Sequence, residues 1–172
     1  MKLNIYLTNL GKYNEGQLVG KWIDVFNHED WEDELESIGV KHGTEYEEYF
    51  ITDVESDIDG LRDAIGEYTS LSEIVVLEEQ LECIHEYDED AFKAAIELWG
   101  LDEALETVGN LEFSYYPYID DEYALGKMAV DEGLMGEIPS SISNYIDYDA
   151  VGRDWILTGD GGLTSMGYIE RS

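Results

Sequence analysis

The sequence predicts an α+β fold of mixed short strands and helices with an acidic surface, and three observations support this prediction. The chain begins with a two-residue apolar alternation, its middle repeats apolar residues at helical spacing, and its end returns to strand-like, glycine-rich sequence. With 172 residues, 44% of them hydrophobic and 12% aromatic, the chain can fill a core. Changes of period and charge predict three small domains, residues 1–62, 63–109 and 110–172.

The N-terminal domain opens with a predicted half-buried strand, because Leu3, Ile5 and Leu7 alternate with more polar residues in KLNIYLTNL. A loop is predicted over GKYNEG, which has a glycine at each end. QLVGKWIDV resumes the alternation and predicts a second strand.

A helix is predicted in HEDWEDELESIG, where Trp31, Leu35 and Ile38 form one apolar stripe that ends near Gly39. EYEEYFITDVE then predicts a further strand. The strands alternate with too little helix for a parallel doubly wound sheet, so this domain is predicted as a small α+β unit.

The middle domain changes to helical period, with breaks near Asp88 to Asp90 and at Gly100. Two or three short helices are predicted, and Asp90 is a candidate N-cap for the second of them. The apolar residues that set the period are Leu71, Ile74, Val75, Leu77, Leu81, Ile84, Phe92, Ala95, Ile96, Trp99, Leu101, Ala104 and Leu105.

The C-terminal domain begins with a predicted strand over residues 110–119, with Pro117 near its end or on an edge. An apolar helix pattern follows over residues 123–134 and is closed by Gly136.

A second C-terminal helix is predicted to start at Pro139, with Ser140 or Ser141 as its cap. Its apolar face would hold Ile142, Tyr145 and Ile146. The glycine-rich TGDGGLTSMGYI is predicted as a turn that leads into a final strand.

The charge of the chain is its most unusual property, since 41 acids and 9 bases give a net charge of −32. Residues 63–126 hold 18 of these acids and a single base, Lys93. Such a protein is a poor partner for nucleic acid and for anionic membrane, so a basic protein is the natural partner. Halophilic adaptation and a purely solubilising surface are alternatives that composition leaves open.

Cysteine content and hydropathy predict a cytoplasmic protein. Cys83 is alone, which excludes an internal disulfide and favours a reducing compartment. No early stretch joins a basic region to a long apolar one, and no run approaches the ~20 apolar residues that cross a bilayer.

Catalytic and cofactor motifs are missing from the sequence, so we expect neither an enzyme nor a bound cofactor or metal. There is no GxxxxGK[ST], HExxH or GxSxG, and the three histidines lie far apart in the chain. ESDIDG, residues 55–60, resembles the start of a calcium-binding EF-hand loop. The match fails because Gly66 stands where the final glutamate ligand is required, so an acidic turn is the preferred interpretation.

EEQLECIHEYDED, residues 78–90, could form a row of carboxylates if it were helical. Glu78, Glu82, Glu86 and Glu89 or Asp90 would then share one ridge, with Glu79 on its shoulder. Like charges at this spacing destabilise a helix by a few tenths of a kcal/mol per pair, so something other than stability must favour them.

The total charge is sufficient to imitate DNA. Duplex DNA carries one negative charge per ~1.7 Å of axis, so the net charge matches about 54 Å of duplex. A compact protein of this mass exposes on the order of 8,500 Å², which would leave the charge about 2.5-fold too dilute. A mimic made from this chain should therefore concentrate its acids on one face, be elongated, or both.

Three segments resemble the ArdA antirestriction proteins, a family carried by mobile elements. GEIPSSISNYIDYDAVGRD, residues 136–154, is similar to the C-terminal signature of that family almost throughout. The N-terminal segment with a following G-x-W and the YEEY-x-I-x-D segment match at Ile5, Tyr6, Asn9, Leu10, Gly11, Tyr13, Asn14, Gly16, Leu18, Gly20, Trp22, Tyr46, Glu47, Glu48, Tyr49, Ile51 and Asp53.

This resemblance implies an elongated, curved protein of three small domains that forms a homodimer and mimics DNA. It also implies that the dimer occupies the DNA-binding channel in the methyltransferase core of type I restriction-modification enzymes, blocking restriction and often methylation. The acids predicted to take the place of phosphates are Glu29, Asp33, Glu36, Glu47, Glu48, Glu78, Glu79, Glu82, Glu86, Glu89, Asp90, Asp102, Glu103, Glu106, Asp120, Asp121 and Glu122.

The least charged third, residues 127–172, is the predicted dimerisation surface, because two strongly negative protomers repel each other least there. Its predicted interface residues are Ile142, Tyr145, Ile146, Tyr148 and Trp155. Two alternatives to this function stay open: a DNA mimic directed at another DNA-binding protein, such as a CRISPR effector, and an acidic halophilic or calcium-dependent protein.

Overall fold

The computed structural model describes residues 1–172 and confirms a mixed α+β fold with eight α-helices and two three-stranded sheets. The chain packs as two compact units, Met1–Glu86 and Tyr87–Ser172. The division into three domains at residues 62 and 109 stays a prediction.

The sheet of the first unit contains β1 (Leu3–Asn9), β2 (Gly20–Asp24) and β3 (Tyr49–Ser56) in the antiparallel order β2-β1-β3. All three strands were expected from the sequence, β1 from its apolar alternation. That alternation places the side chains of Leu3, Ile5 and Leu7 in the core, where each is fully buried.

The expected loop after β1 is wrong, because α1 (Leu10–Asn14) starts directly at the end of the strand. Asn9 makes this possible. Its side chain accepts a hydrogen bond from the Lys12 N–H at 2.9 Å, which caps the helix, and donates one to the Ile38 carbonyl at 3.2 Å. A five-residue helix is too short to show a helical period in the sequence.

The remaining helices of the first unit are α2 (Trp31–Ser37), α3 (Asp59–Ala64) and α4 (Leu71–Glu82). The helix α2 was expected, and Gly39 follows it with the positive φ of 77° that favours glycine. The helix α3 was not expected, since its first residue lies in the segment interpreted as an acidic turn.

A capping box starts α4: Glu73 N–H donates to the Ser70 hydroxyl, and Ser70 N–H donates to the Glu73 carboxylate at 2.8 Å. The helix ends at Glu82, and a short 3-10 turn over Glu86–Asp88 follows. The single helix that would have aligned Glu78 with Glu86 and Glu89 is therefore wrong.

The second unit begins with α5 (Glu89–Trp99) and α6 (Leu101–Gly109), as the period predicted. Gly100 separates them with a φ of 87°, a conformation that side chains disfavour. The predicted N-cap is wrong, because Asp88 holds that position and Asp90 lies in the first turn of α5.

The rest of the second unit contains β4 (Phe113–Tyr116), α7 (Glu122–Asp131), α8 (Tyr148–Thr158), β5 (Gly161–Thr164) and β6 (Gly167–Arg171). Its sheet is antiparallel with the order β4-β6-β5.

The helix predicted from Pro139 is wrong. Residues Ser143–Tyr145 form only a 3-10 turn, and α8 begins at Tyr148, where the Asp147 carboxylate accepts a hydrogen bond from Ala150 N–H at 3.1 Å. Aspartate at the N-cap sets this start, and the capping candidates upstream start no α-helix.

The glycine-rich segment interpreted as a turn is in part the strand β5. A Cβ at Gly162 would lie 2.7 Å from the Leu98 side chain of α5, so this glycine lets the Leu98 side chain pack directly on the strand. Glu97 closes the β5–β6 turn, since its carboxylate accepts hydrogen bonds from Ser165 N–H at 2.9 Å and from the Ser165 hydroxyl at 2.6 Å.

Two glycines let α7 and α8 cross with their backbones in contact. A Cβ at Gly126 would lie 2.0 Å from the Tyr148 carbonyl oxygen, and one at Gly152 would lie 1.9 Å from the Glu122 carbonyl oxygen. Gly152 belongs to the AVGRD part of the C-terminal signature. That segment therefore has a structural role in closing the helix pair.

The core next to this helix pair contains Ile119, Leu125, Met128 and Tyr168. The Tyr168 hydroxyl donates to the Glu170 carboxylate at 2.8 Å, and burial, followed by this hydrogen bond, raises the pKa of Tyr168. The Trp155 indole N–H donates to the same carboxylate at 3.2 Å, so α8 is attached to β6 through a polar contact as well as through packing.

Candidate functional site: exposed carboxylates

The acids predicted to imitate phosphates lie mostly at the surface. Fourteen of the seventeen are exposed, and Glu78, Glu89 and Glu122 are partly buried. They belong to both units, so each unit is described by itself. The seventeen acids differ in whether their carboxylate already forms an ion pair or a hydrogen bond within the protein.

Nine of the seventeen are exposed and form no ion pair or side-chain hydrogen bond within the protein. A carboxylate in this state keeps its full charge and its hydrogen-bonding capacity for an external cation. These nine, which we call the free acids, are Glu29, Asp33, Glu48, Glu79, Glu82 and Glu86 in the first unit and Asp102, Glu106 and Asp120 in the second.

The other eight have partners. Two are close to histidines, Glu78 at 3.5 Å from His28 and Glu47 at 3.7 Å from His42. Asp121 caps α7 by accepting a hydrogen bond from Ala124 N–H at 2.7 Å. The remaining five pair with lysine or arginine: Glu36 with Lys41, Glu89 and Asp90 with Lys93, Glu103 with Arg171, and Glu122 with Arg153.

On α4 the row of carboxylates is shorter than expected. Glu79 and Glu82 are exposed and free, whereas Glu78 points towards His28, whose ring also stacks on Trp31 with the centroids 4.0 Å apart. A histidine fifty residues away in the sequence gave no signal that could have identified this pair.

Several exposed acids with no partner were not predicted, among them Glu32, Glu45, Asp63 and Glu67. The last two fall in the base-free interval from Asp63 to Phe92, so absence of nearby bases is a signal that could have found them. Helical spacing could not have identified Asp63 and Glu67, because both lie outside α4.

Glu34 is an acid that the fold itself uses. It is only 7% exposed, it forms an ion pair with Lys21, and it accepts a hydrogen bond from Glu29 N–H at 3.3 Å. The hydrogen bond from Lys21 lowers the pKa of Glu34, although burial acts in the opposite direction.

We expect Glu34→Gln to destabilise the protein at neutral pH, and this loss to shrink as the pH falls. A carboxyl whose pKa is lowered by folding contributes stability above its unfolded pKa and loses that contribution as the pH drops through the folded pKa. Urea denaturation of wild type and variant should therefore converge below the ordinary glutamate pKa of 4.5. Glu45→Gln, at an exposed position, is the matched control, and a gap independent of pH would contradict this origin.

The acids of the EF-hand-like segment have other partners. The Glu55 carboxylate accepts a hydrogen bond from Lys2 Nζ at 2.9 Å, and Asp57 accepts one from Lys2 N–H at 2.7 Å. Asp59 is the first residue of α3. The structure contains no group of three His, Cys, Asp or Glu side chains that could hold a metal ion.

The predicted dimer residues differ in exposure. Tyr145 is 86% exposed and Ile142 is 51% exposed, whereas Ile146, Tyr148 and Trp155 are partly buried. Trp155 packs against the core of its own unit. Seven further exposed apolar residues of the same unit were not predicted: Tyr87, Leu111, Tyr118, Tyr123, Leu134, Met135 and Leu157.

No helix of the structure has both the length and the apolar character needed to cross a bilayer.

These features define a class of protein: a small α+β protein whose distinctive surface chemistry is a set of exposed carboxylates without internal partners. The model of the antirestriction protein family ArdA matches residues 5–170. The chain therefore belongs to the ArdA family, whose members are inhibitors of restriction rather than enzymes. A comparison with curated proteins gave no significant match.

Proposed function

We propose that this protein is a DNA mimic that occupies the DNA-binding channel of type I restriction-modification enzymes and blocks restriction and modification. Family membership supports the antirestriction role and a restriction-modification enzyme as the partner. The mechanism and the target enzyme type are our proposal.

The free acids are the observation that carries this proposal. Eight of the nine lysines and arginines are already paired with acids of the same chain, yet nine of the predicted acids keep no partner. Both units contribute, with 22 acids and 5 bases in residues 1–86 and 19 acids and 4 bases in residues 87–172. A basic channel that neutralises phosphates can neutralise such carboxylates by the same ion pairing.

Mimicry of this kind would produce inhibition that does not depend on a recognition sequence. Phosphate contacts position a protein on DNA, whereas contacts with base edges provide sequence preference. A surface that offers negative charges and no base edges competes for the positioning contacts alone. Enzymes with different recognition sequences should therefore be inhibited alike.

The proposed working form is a cytoplasmic homodimer held through the C-terminal part of the chain. Exposed Ile142 and Tyr145 supply apolar surface in the least charged third, where repulsion between protomers is smallest. A dimer would also double the length of duplex that the charge can replace.

The test is competition for a purified type I methyltransferase core. We expect the protein to bind at low salt, to be displaced by excess duplex of unrelated sequence, and to lose affinity steeply as salt rises. Light scattering on the same samples measures the mass of the free protein and therefore its dimerisation. No complex at low salt, or a complex that saturating duplex leaves intact, would contradict the mechanism.

A further inference from the structure

Arg62 differs from every other lysine and arginine of the chain because it has no acidic partner. The other eight form ion pairs within the protein, among them Lys2 with Glu55 at 2.9 Å and Arg171 with Glu103 at 2.7 Å. Arg62 is exposed on α3 and makes no ion pair, hydrogen bond or cation–π contact, in a chain with 41 acids. Its guanidinium is therefore available to an external group.

Arg62 lies where two hollows of the first unit adjoin. One has a volume of about 380 Å³ and is lined by Tyr13, Phe50 and Glu67, among others. The other, of about 230 Å³, is lined by Trp22 and Glu55, among others. Both are also lined by Asp53, Val54 and Arg62, so together they form one groove beside β3 to which Arg62 contributes in both parts.

We expect this groove to bind side chains of a partner, because it cannot readily pair with an added β-strand. Two N–H groups of β3 are already bonded: Ile51 N–H donates to the Glu67 carbonyl at 3.0 Å, and Val54 N–H donates to the Asp53 carboxylate at 2.9 Å. A strand that pairs with a sheet edge needs such groups unbonded.

We infer that Arg62 is a specificity-determining residue that binds a carboxylate side chain of the partner protein. The guanidinium presents N–H donors in a planar fork that fits a carboxylate with two parallel hydrogen bonds. A free phosphate carries more negative charge than a carboxylate, and Asp53, Glu55 and Glu67 in the same groove would repel it. A carboxylate of a basic channel has basic side chains next to it, and these three acids attract those bases.

This inference rests on the proposed function, and it adds something that DNA cannot supply. A phosphate backbone carries no positive charge, so an acidic side chain in a DNA channel repels the duplex. A mimic with one unpaired arginine gains a contact from the same acid, which favours the mimic over the DNA that it displaces.

The test asks whether removing one positive charge weakens or strengthens binding to the partner. Arg62→Gln and the matched control Lys41→Gln, which removes an exposed base 3.7 Å from Glu36 in the same unit, each change the net charge from −32 to −33. Charge mimicry alone predicts equal or tighter binding to a type I methyltransferase core for both variants. We expect Arg62→Gln to raise Kd about tenfold, Lys41→Gln to leave it unchanged or lower it, and Arg62→Lys to fall between wild type and Arg62→Gln.

Unaltered or tighter binding by Arg62→Gln, with an unfolding midpoint equal to that of wild type, would overturn the inference and leave the proposed function standing. Inorganic phosphate that competes with wild type but not with Arg62→Gln would overturn the choice of a carboxylate. Failure of the wild-type protein to form any complex would overturn both.

Discussion

Replacing Gly152 by valine should lower the free energy of unfolding by about 3 kcal/mol, the upper part of the range for an overpacked core position. A Cβ at this position would lie 1.9 Å from the Glu122 carbonyl oxygen, and that oxygen belongs to the backbone of α7. A side-chain neighbour could rotate away, but backbone can yield only if the two helices move apart. Such a movement would also disturb the contact between Trp155 and Glu170.

Urea denaturation followed by circular dichroism measures this effect. Gly126→Ala should act in the same direction, because its Cβ would lie 2.0 Å from the Tyr148 carbonyl oxygen. Gly66→Ala is the control: its nearest neighbour would be 3.8 Å away, and we expect a change within about 0.5 kcal/mol. Wild-type stability in Gly152→Val would mean that the two helices do not cross as described.

The second large effect concerns binding. We expect simultaneous replacement of Glu79 and Glu82 on α4, and of Asp102 and Glu106 on α6, by the corresponding amides to weaken binding to a type I methyltransferase core about tenfold to a hundredfold. Each carboxylate is exposed and has no partner in the protein, so its removal deletes an external contact without leaving an internal base unpaired. Four surface ion pairs of about 0.2–1 kcal/mol each account for a change of this size.

A control with the same net charge separates local contact from overall charge. Glu132, Glu137, Asp149 and Asp154 are also exposed and unpaired, and they lie in the third of the chain predicted to dimerise. Their replacement by amides should change Kd much less. Equal weakening by both sets, measured at matched salt, would show that total charge matters and that the predicted positions do not.

Sequence patterns identified the elements whose burial is periodic. Alternation found β1, and helical spacing found α4, α5 and α6, because each has a continuous apolar face. Errors came where a single side chain sets the boundary. Asn9 starts α1 and Asp147 starts α8 by local hydrogen bonds that neither period reports.

The candidate site was less predictable than the fold. Exposure of the acids followed from their charge, but their availability depends on partners far away in the sequence. Lys21 and Glu34 are thirteen residues apart, and Arg171 reaches Glu103 across 68 residues. Composition also gives no means of recognising that Arg62, alone among the bases, stays unpaired.

The segments that resemble the family also inform about the fold more than about the candidate site. Asn9 caps a helix, Gly20 would place a Cβ 2.5 Å from the Leu7 carbonyl oxygen, and Gly152 closes a helix pair. These residues hold the backbone in place and are not the acids that would meet a partner. The resemblance therefore identifies a scaffold, and the positions of the acids require the structure.

The bonded edge of β3 has a consequence for the protein as a solute. An exposed edge strand is a common starting point for fibres and aggregates, because an unfolded or neighbouring chain can add to it. Ile51 N–H and Val54 N–H of this edge already donate hydrogen bonds to Glu67 and Asp53, so they are not available to an added strand. The negative charge of the protein also makes approaching copies repel each other. Growth of aggregates by addition of strands to the β3 edge is therefore disfavoured.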